Sequence, residues 1–131
     1  MPTRKGTTVA QVITAQPARL RPGADAMLFA CGSLAEEHYR RRLFGESLPV
    51  FPARMLHWAR YRGADGHEFA RQLKGAAVDG YVIPVNAKQI EAADRGASSW
   101  NLQRAVTMIE IDGARTWAFV YTRRGEGELV A

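Results

Sequence analysis

One cysteine in 131 residues, Cys31, excludes an intramolecular disulfide and any cysteine-built zinc cluster, and suits a reducing cytoplasm. No apolar run approaches the roughly 20 residues of a membrane span, so no membrane association is expected. The stretch from Gly6 to Ala15, behind Arg4 and Lys5, is too polar for the core of a secretory leader. Lysine is scarce: arginine makes up 15 of the 18 basic residues, against 13 acidic ones, for a net charge of +5. That balance would suit phosphate contacts, but the basic residues are scattered apart from Arg40-Arg41-Arg42 and Arg123-Arg124. Three consecutive residues on a helix point in three directions. With no aromatic-basic strand and no recognition helix, a nucleic-acid partner is not expected. An anionic small molecule would profit from the same field. No cofactor or metal site is expected either.

What is present fits one globular domain: 47% hydrophobic and 24% charged residues, in a chain long enough to bury about two thirds of its unfolded surface. Residues 1–25, with Pro2, Pro17 and Pro22, read as a flexible arm. Its β-branched segment Thr8–Thr14 is a candidate strand for the domain edge or for a second copy, so a monomer or a homodimer is expected. Strands are predicted at Ala26–Ala30, Ala53–Tyr61 and Ala76–Val85, with Pro84 at a sheet margin or bulge. Asn86 and Gln89 form a capping box for a short helix closed by Asp94 and Gly96. Asp112-Gly113 between Leu102–Ile111 and Arg115–Tyr121 is a type I′ hairpin signature. It sets Met108 opposite Trp117, Val106 opposite Phe119 and Arg104 opposite Tyr121, and places Trp117 in the core. Residues 123–131 read as a tail. The fold class is α+β: a small mixed β-barrel with a few helices packed outside, over residues 26–122.

The most informative stretch is Cys31-Gly32-Ser33-Leu34, between an apolar strand and a helix. Ser33 and Glu36 make a second capping box, predicting a helix from about Leu34 to Leu43 that ends near Gly45. A strand turning at glycine into a helix start aims unpaired N–H groups at one point, suited to a carboxylate or an oxyanion. The Gly32-Ser33-Leu34 amides are therefore expected to bind an anion on the floor of the main pocket, beside Cys31 and Tyr121. Trp100, in a Ser-rich loop, is expected to face the ligand.

Taken in order, five pieces resemble the γ-glutamylcyclotransferase-like family. Phe29-Ala30-Cys31-Gly32-Ser33-Leu34 is similar to its Tyr-Gly-Ser-Leu strand end, and Val78-Asp79-Gly80-Tyr81-Val82 to its Val-x-Gly strand. Ile90-Glu91-Ala92-Ala93-Asp94 resembles its Leu-Asp-x-x-Glu helix. Leu102-Gln103-Arg104-Ala105-Val106-Thr107 is similar to its Tyr-x-Arg-x-x-Val strand, and Phe119-Val120-Tyr121 to its closing strand. The resemblance implies the barrel fold and a cyclising cleavage. The α-amine of a γ-glutamyl group attacks its own γ-carbonyl, releasing 5-oxoproline, with a glutamate as base and with Arg104 and Tyr121 at the substrate.

Counting that glutamate three residues after Asp94 reaches Ala97, in a stretch without a carboxylate. Leu102 and Cys31 also stand where the family has tyrosines. Poor turnover of simple γ-glutamyl dipeptides follows, and whether the protein is an enzyme stays open. Candidate substitutes are Glu91 and Asp94, one helical turn apart, which otherwise read as a solvated residue and a helix stop. Glu68, in a long loop, could fold over the pocket, but nothing in the sequence places it. Cys31 is a candidate nucleophile if a helix start lowers its pKa, and otherwise simply fills space. The expected function is cyclising cleavage of a γ-glutamyl or related acyl-amine with a non-standard acid/base. The alternative is an inactive protein of the same fold that binds a small carboxylate ligand or a protein partner.

Overall fold

A computed structural model describes residues 17–130. The candidate strand Thr8–Thr14 lies outside them. Chain order is α1 (Pro17–Leu20), β1 (Ala26–Ala30), a 3₁₀ turn (Gly32–Ala35), α2 (Glu37–Phe44), β2 (Phe51–Arg62), β3 (Glu68–Val85), α3 (Ala87–Ser98), β4 (Gln103–Ile111), β5 (Ala114–Thr122) and β6 (Glu128–Leu129). The sheet runs β3-β1-β5-β4-β2-β6, and a direct β3–β2 pairing closes it into a mixed barrel. Among the described residues the one parallel pairing, Leu28 with Phe119, joins β1 to β5.

The β4–β5 hairpin has the expected register, Gln103 opposite Thr122 through Ile111 opposite Ala114. Asp112 and Gly113 take φ of 50° and 79°, the pair of positive values that a type I′ turn requires. The expected burial of Trp117 and Val106 does not hold. Trp117 is 64% exposed and Val106 57%, while Thr107, Ile109, Ala118 and Val120 point inward. The barrel interior is already filled by Phe29, Met55 and Trp58, so β5 contributes its small residues there. On the outer face, Tyr121 and Phe119 are covered instead by the helical layer, with Leu28, Ile83, Ile90, Ala93 and Ala97.

Three boundaries also shift. The Ser33–Glu36 capping box does not form: Gly32–Ala35 is a 3₁₀ turn, and α2 starts only at Glu37. The Glu36 N–H bonds the Ser33 backbone carbonyl (3.0 Å), which closes the tight turn before the helix. The helix still ends at Gly45, in the left-handed conformation. At α3 the Asn86–Gln89 capping box is present, but the helix runs through Asp94 and Gly96 to Ser98. Gly96 is tolerated inside it because Leu43 and the Tyr39 hydroxyl of α2 pack where a Cβ would be. Glu68 is no loop residue but the first of β3, an 18-residue strand whose bulge is at residues 73–76.

Both termini of the described chain return to the barrel. Arg21 donates to the Pro84 carbonyl (3.2 Å) and to Gln89 Oε1 (2.9 Å). Pro84 is opposite Met27 within the β1–β3 ladder and is a margin only on its β2 side, where the β2–β3 ladder ends at Phe51 and Val82. β6 pairs with β2 at Tyr61 and Arg62. No helix among the described residues is long and apolar enough to cross a membrane.

Gly80, of the Val-x-Gly segment, is where β3 passes under the end of β1. A Cβ there would sit 2.7 Å from the Ala30 carbonyl oxygen and 2.9 Å from the Phe29 ring. Backbone cannot move aside cheaply, so Gly80→Ala should lose about 1–3 kcal/mol of stability. A lower urea midpoint at unchanged m-value is the expected result. An unshifted midpoint would show that the strand crossing has slack.

Candidate active site

The Gly-Ser-Leu turn borders a small cavity of about 50 Å³ between the outer barrel face and helices α2 and α3. That is room for a few water molecules. Its wall includes Cys31, Ser33 and Leu34 on one side, Ala93, Ala97 and Tyr121 on another, and His67, Glu68 and Trp100. The leading N–H groups of the turn have no partner within it. Gly32 backs onto Glu68, leaving 3.3 Å between a Cβ at Gly32 and the Glu68 carbonyl oxygen.

Opposite, the Tyr121 hydroxyl donates to Asp94 Oδ1 at 2.7 Å. Arg104 Nη1 ion-pairs with Asp94 Oδ2 at 3.2 Å, and its guanidinium lies 4.6 Å from the Phe119 ring centre. Burial first, and then the Asp94 hydrogen bond, hold the Tyr121 phenol far above its ordinary pKa. Tyr121 therefore keeps its proton, commits it to Asp94, and offers oxygen lone pairs as an acceptor. The barrel brings Asp94, Arg104 and Tyr121 together, although only Tyr121 is in the cavity wall and Asp94 and Arg104 are not. Glu91 is exposed on α3, outside the wall. Ala97 is buried and lines the cavity.

Cys31 is in the wall, but its environment does not activate it. Burial pushes its thiol up to about 11, outweighing the lowering by Arg60, while Glu68 adds to the rise. The helix start expected beside it is displaced to Glu37. The thiol is thus neutral at pH 7–8, and alkylation by iodoacetamide should be slow there. Because the folded state retains this proton longer than the unfolded chain, its contribution to stability is present below about pH 9. It is lost as pH rises toward about 11. Rapid alkylation at pH 7 would refute this.

The sequence named Glu68 as a possible base without placing it, and gave no site reading for His67 or Arg123. Glu68 is the one carboxylate in the cavity wall, ion-paired to Arg62 (3.0 Å) and Arg60 (3.6 Å). His67 and Trp100 cover the cavity, their ring centres 3.7 Å apart. Trp100 lines the cavity. Arg123, from the segment read as a tail, ties this cover down. Its guanidinium bonds both Asp65 oxygens (2.8 and 2.7 Å) and the Trp100 carbonyl (3.2 Å), and lies 4.7 Å from the Phe69 ring centre. Gly63 makes room, since a Cβ there would collide with Arg123 Nη2. Nothing local in the sequence announces these pairings, which span 58 residues for Asp65 and Arg123.

The fold has counterparts among solved structures. A protein of Arabidopsis thaliana superposes with TM-score 0.67 at 15% identity, over 75% of this chain and 68% of its own. A gamma-glutamyl cyclotransferase superposes at 0.64 and 19% identity, over 79% of this chain and 69% of its own. A mouse AIG2-like protein does so at 0.60 and 17%, over 74% and 76%. At these identities the likeness is one of fold. A search of curated proteins finds no match to the sequence. The family model for gamma-glutamyl cyclotransferase, AIG2-like proteins matches residues 28–130, and with the barrel and the order of motifs already described, the chain belongs to that family.

Proposed function

We propose that this protein cleaves a γ-glutamyl or related acyl-amine by intramolecular cyclisation, with Asp94 as acid/base in place of the usual glutamate. The observation that carries this is the 2.7 Å hydrogen bond from Tyr121, in the cavity wall, to Asp94. Taken position by position, Ile90-Glu91-Ala92-Ala93-Asp94 matches Leu-Asp-x-x-Glu with its two acids exchanged. This register puts Asp94 at the glutamate, one helical turn before Ala97. Aspartate is one methylene shorter, so it stands behind Tyr121 and works beside the phenol oxygen.

The chemistry then follows from the charges. The substrate ammonium docks at the Tyr121 oxygen and gives a proton to Asp94. The freed amine attacks the γ-carbonyl, forming the five-membered ring; because attack is intramolecular, holding the chain folded supplies much of the rate. Ser33 and Leu34 amides receive the substrate carboxylate and the developing oxyanion. Collapse of the tetrahedral intermediate breaks the bond to the leaving amine, which takes the proton back from Asp94, while the second proton of the original ammonium leaves the ring nitrogen for solvent.

The test is release of 5-oxoproline from a panel of γ-glutamyl amines, including γ-glutamyl-alanine. Turnover by the wild type, reduced about tenfold in Tyr121→Phe, is the expected result. Binding of 5-oxoproline without turnover of any member would favour the inactive, ligand-binding alternative.

A further inference from the structure

Arg40 is the one charged side chain buried among the described residues, at 7% exposure, and the mechanism above does not use it. Its neighbours Arg41 and Arg42 on α2 are exposed. Its Nη1 donates to the Leu34 carbonyl at 3.1 Å, and its buried Nε has no hydrogen-bond partner. No carboxylate among the described residues forms an ion pair with it.

Burying a cation without a counter-charge opposes folding, and an apolar side chain of similar length would fill the same space without that cost. Something other than packing must therefore favour the charge here. The group it holds is the carbonyl of Leu34, the residue whose turn borders the cavity. We infer that Arg40 is a positioning residue: it fixes the Gly32–Leu34 turn and supplies the positive field that selects a ligand bearing a carboxylate. The inference rests on the reading of that turn as the carboxylate site.

Calorimetric titration of wild type, Arg40→Met and Arg40→Lys with 5-oxoproline and with its neutral carboxamide separates the roles, alongside thermal unfolding of each protein. The wild type should prefer the acid to the amide. Arg40→Met should bind the acid about tenfold more weakly, bind the amide as the wild type does, and unfold at a higher temperature. Arg40→Lys should keep most of the preference for the acid. Equal loss of both ligands in Arg40→Met, or a lower unfolding temperature, would make Arg40 a structural strut and overturn the inference alone. A wild type that binds neither ligand overturns the carboxylate site itself, and with it this role for Arg40.

Discussion

Asp94→Asn should lower 5-oxoproline release by a factor of about 10² to 10⁴, the usual consequence of removing a general base. Asparagine keeps the size of aspartate and can still accept from the Tyr121 hydroxyl, so the geometry around the phenol survives. What disappears is the site that takes and returns the proton. The ion pair to Arg104 is lost as well, but both side chains are more than a third exposed, so the effect on stability should be small. Asp94→Glu, which restores the family's longer acid, should retain activity. The competing register makes the opposite forecast: the site would be empty at Ala97, and Ala97→Glu would raise turnover while Asp94→Asn leaves it alone. Assaying the three variants side by side decides between the two. Wild-type rates in Asp94→Asn without any gain in Ala97→Glu would move the base to Glu68 or His67, which line the cavity itself.

The second large effect is expected at Arg123. Arg123→Met removes the group that joins the end of β5 to Asp65, to His67 and to the Trp100 carbonyl. The His67–Trp100 cover should then open, and a displacement of about 1 Å in a positioned substrate can cost about 10²-fold in rate. Hydrogen exchange should rise in 63–67 and 99–102 while the barrel ladders stay protected. Gly63→Ala should have the same consequences, because its methyl group takes the place of the guanidinium. Asp65 gives an independent readout. The hydrogen bonds from Arg123, and next from the His67 N–H, hold its carboxyl well below the usual range. Stability from this depressed group is present above its ordinary pKa near 4 and fades as pH falls below it, so the latch is insensitive between pH 5 and 8. In Arg123→Met the Asp65 titration followed by NMR should move up toward ordinary carboxylate values. Unchanged exchange and an unchanged titration would show that the cover holds without the latch.

Local chemistry in this chain was legible from sequence to the residue. Asp112-Gly113 determined the β4–β5 turn and its whole register, since both positive φ values and the two-residue period act between neighbours. Asn86 with Gln89 determined where α3 begins, and the ordered motifs determined the family. The Ser33–Glu36 pattern was the same kind of signal and misled, because the chain leaving β1 packs a tight 3₁₀ turn against Glu68 before α2 can start. What only the tertiary structure decided depends on barrel closure. Period two divides Trp117 and Val106 from Ala118 and Val120, but only the volume already occupied by Phe29, Met55 and Trp58 turns the small residues inward. The meeting of Tyr121 with Asp94, 27 residues apart, and of Arg123 with Asp65, 58 apart, arises from strand order and not from spacing. Side-chain pairings at such separations leave no periodic trace in the sequence. They are set by barrel closure, which brings α3 and the β2–β3 loop to the end of β5, and so the elements and several candidate residues could be read in advance while these pairings could not.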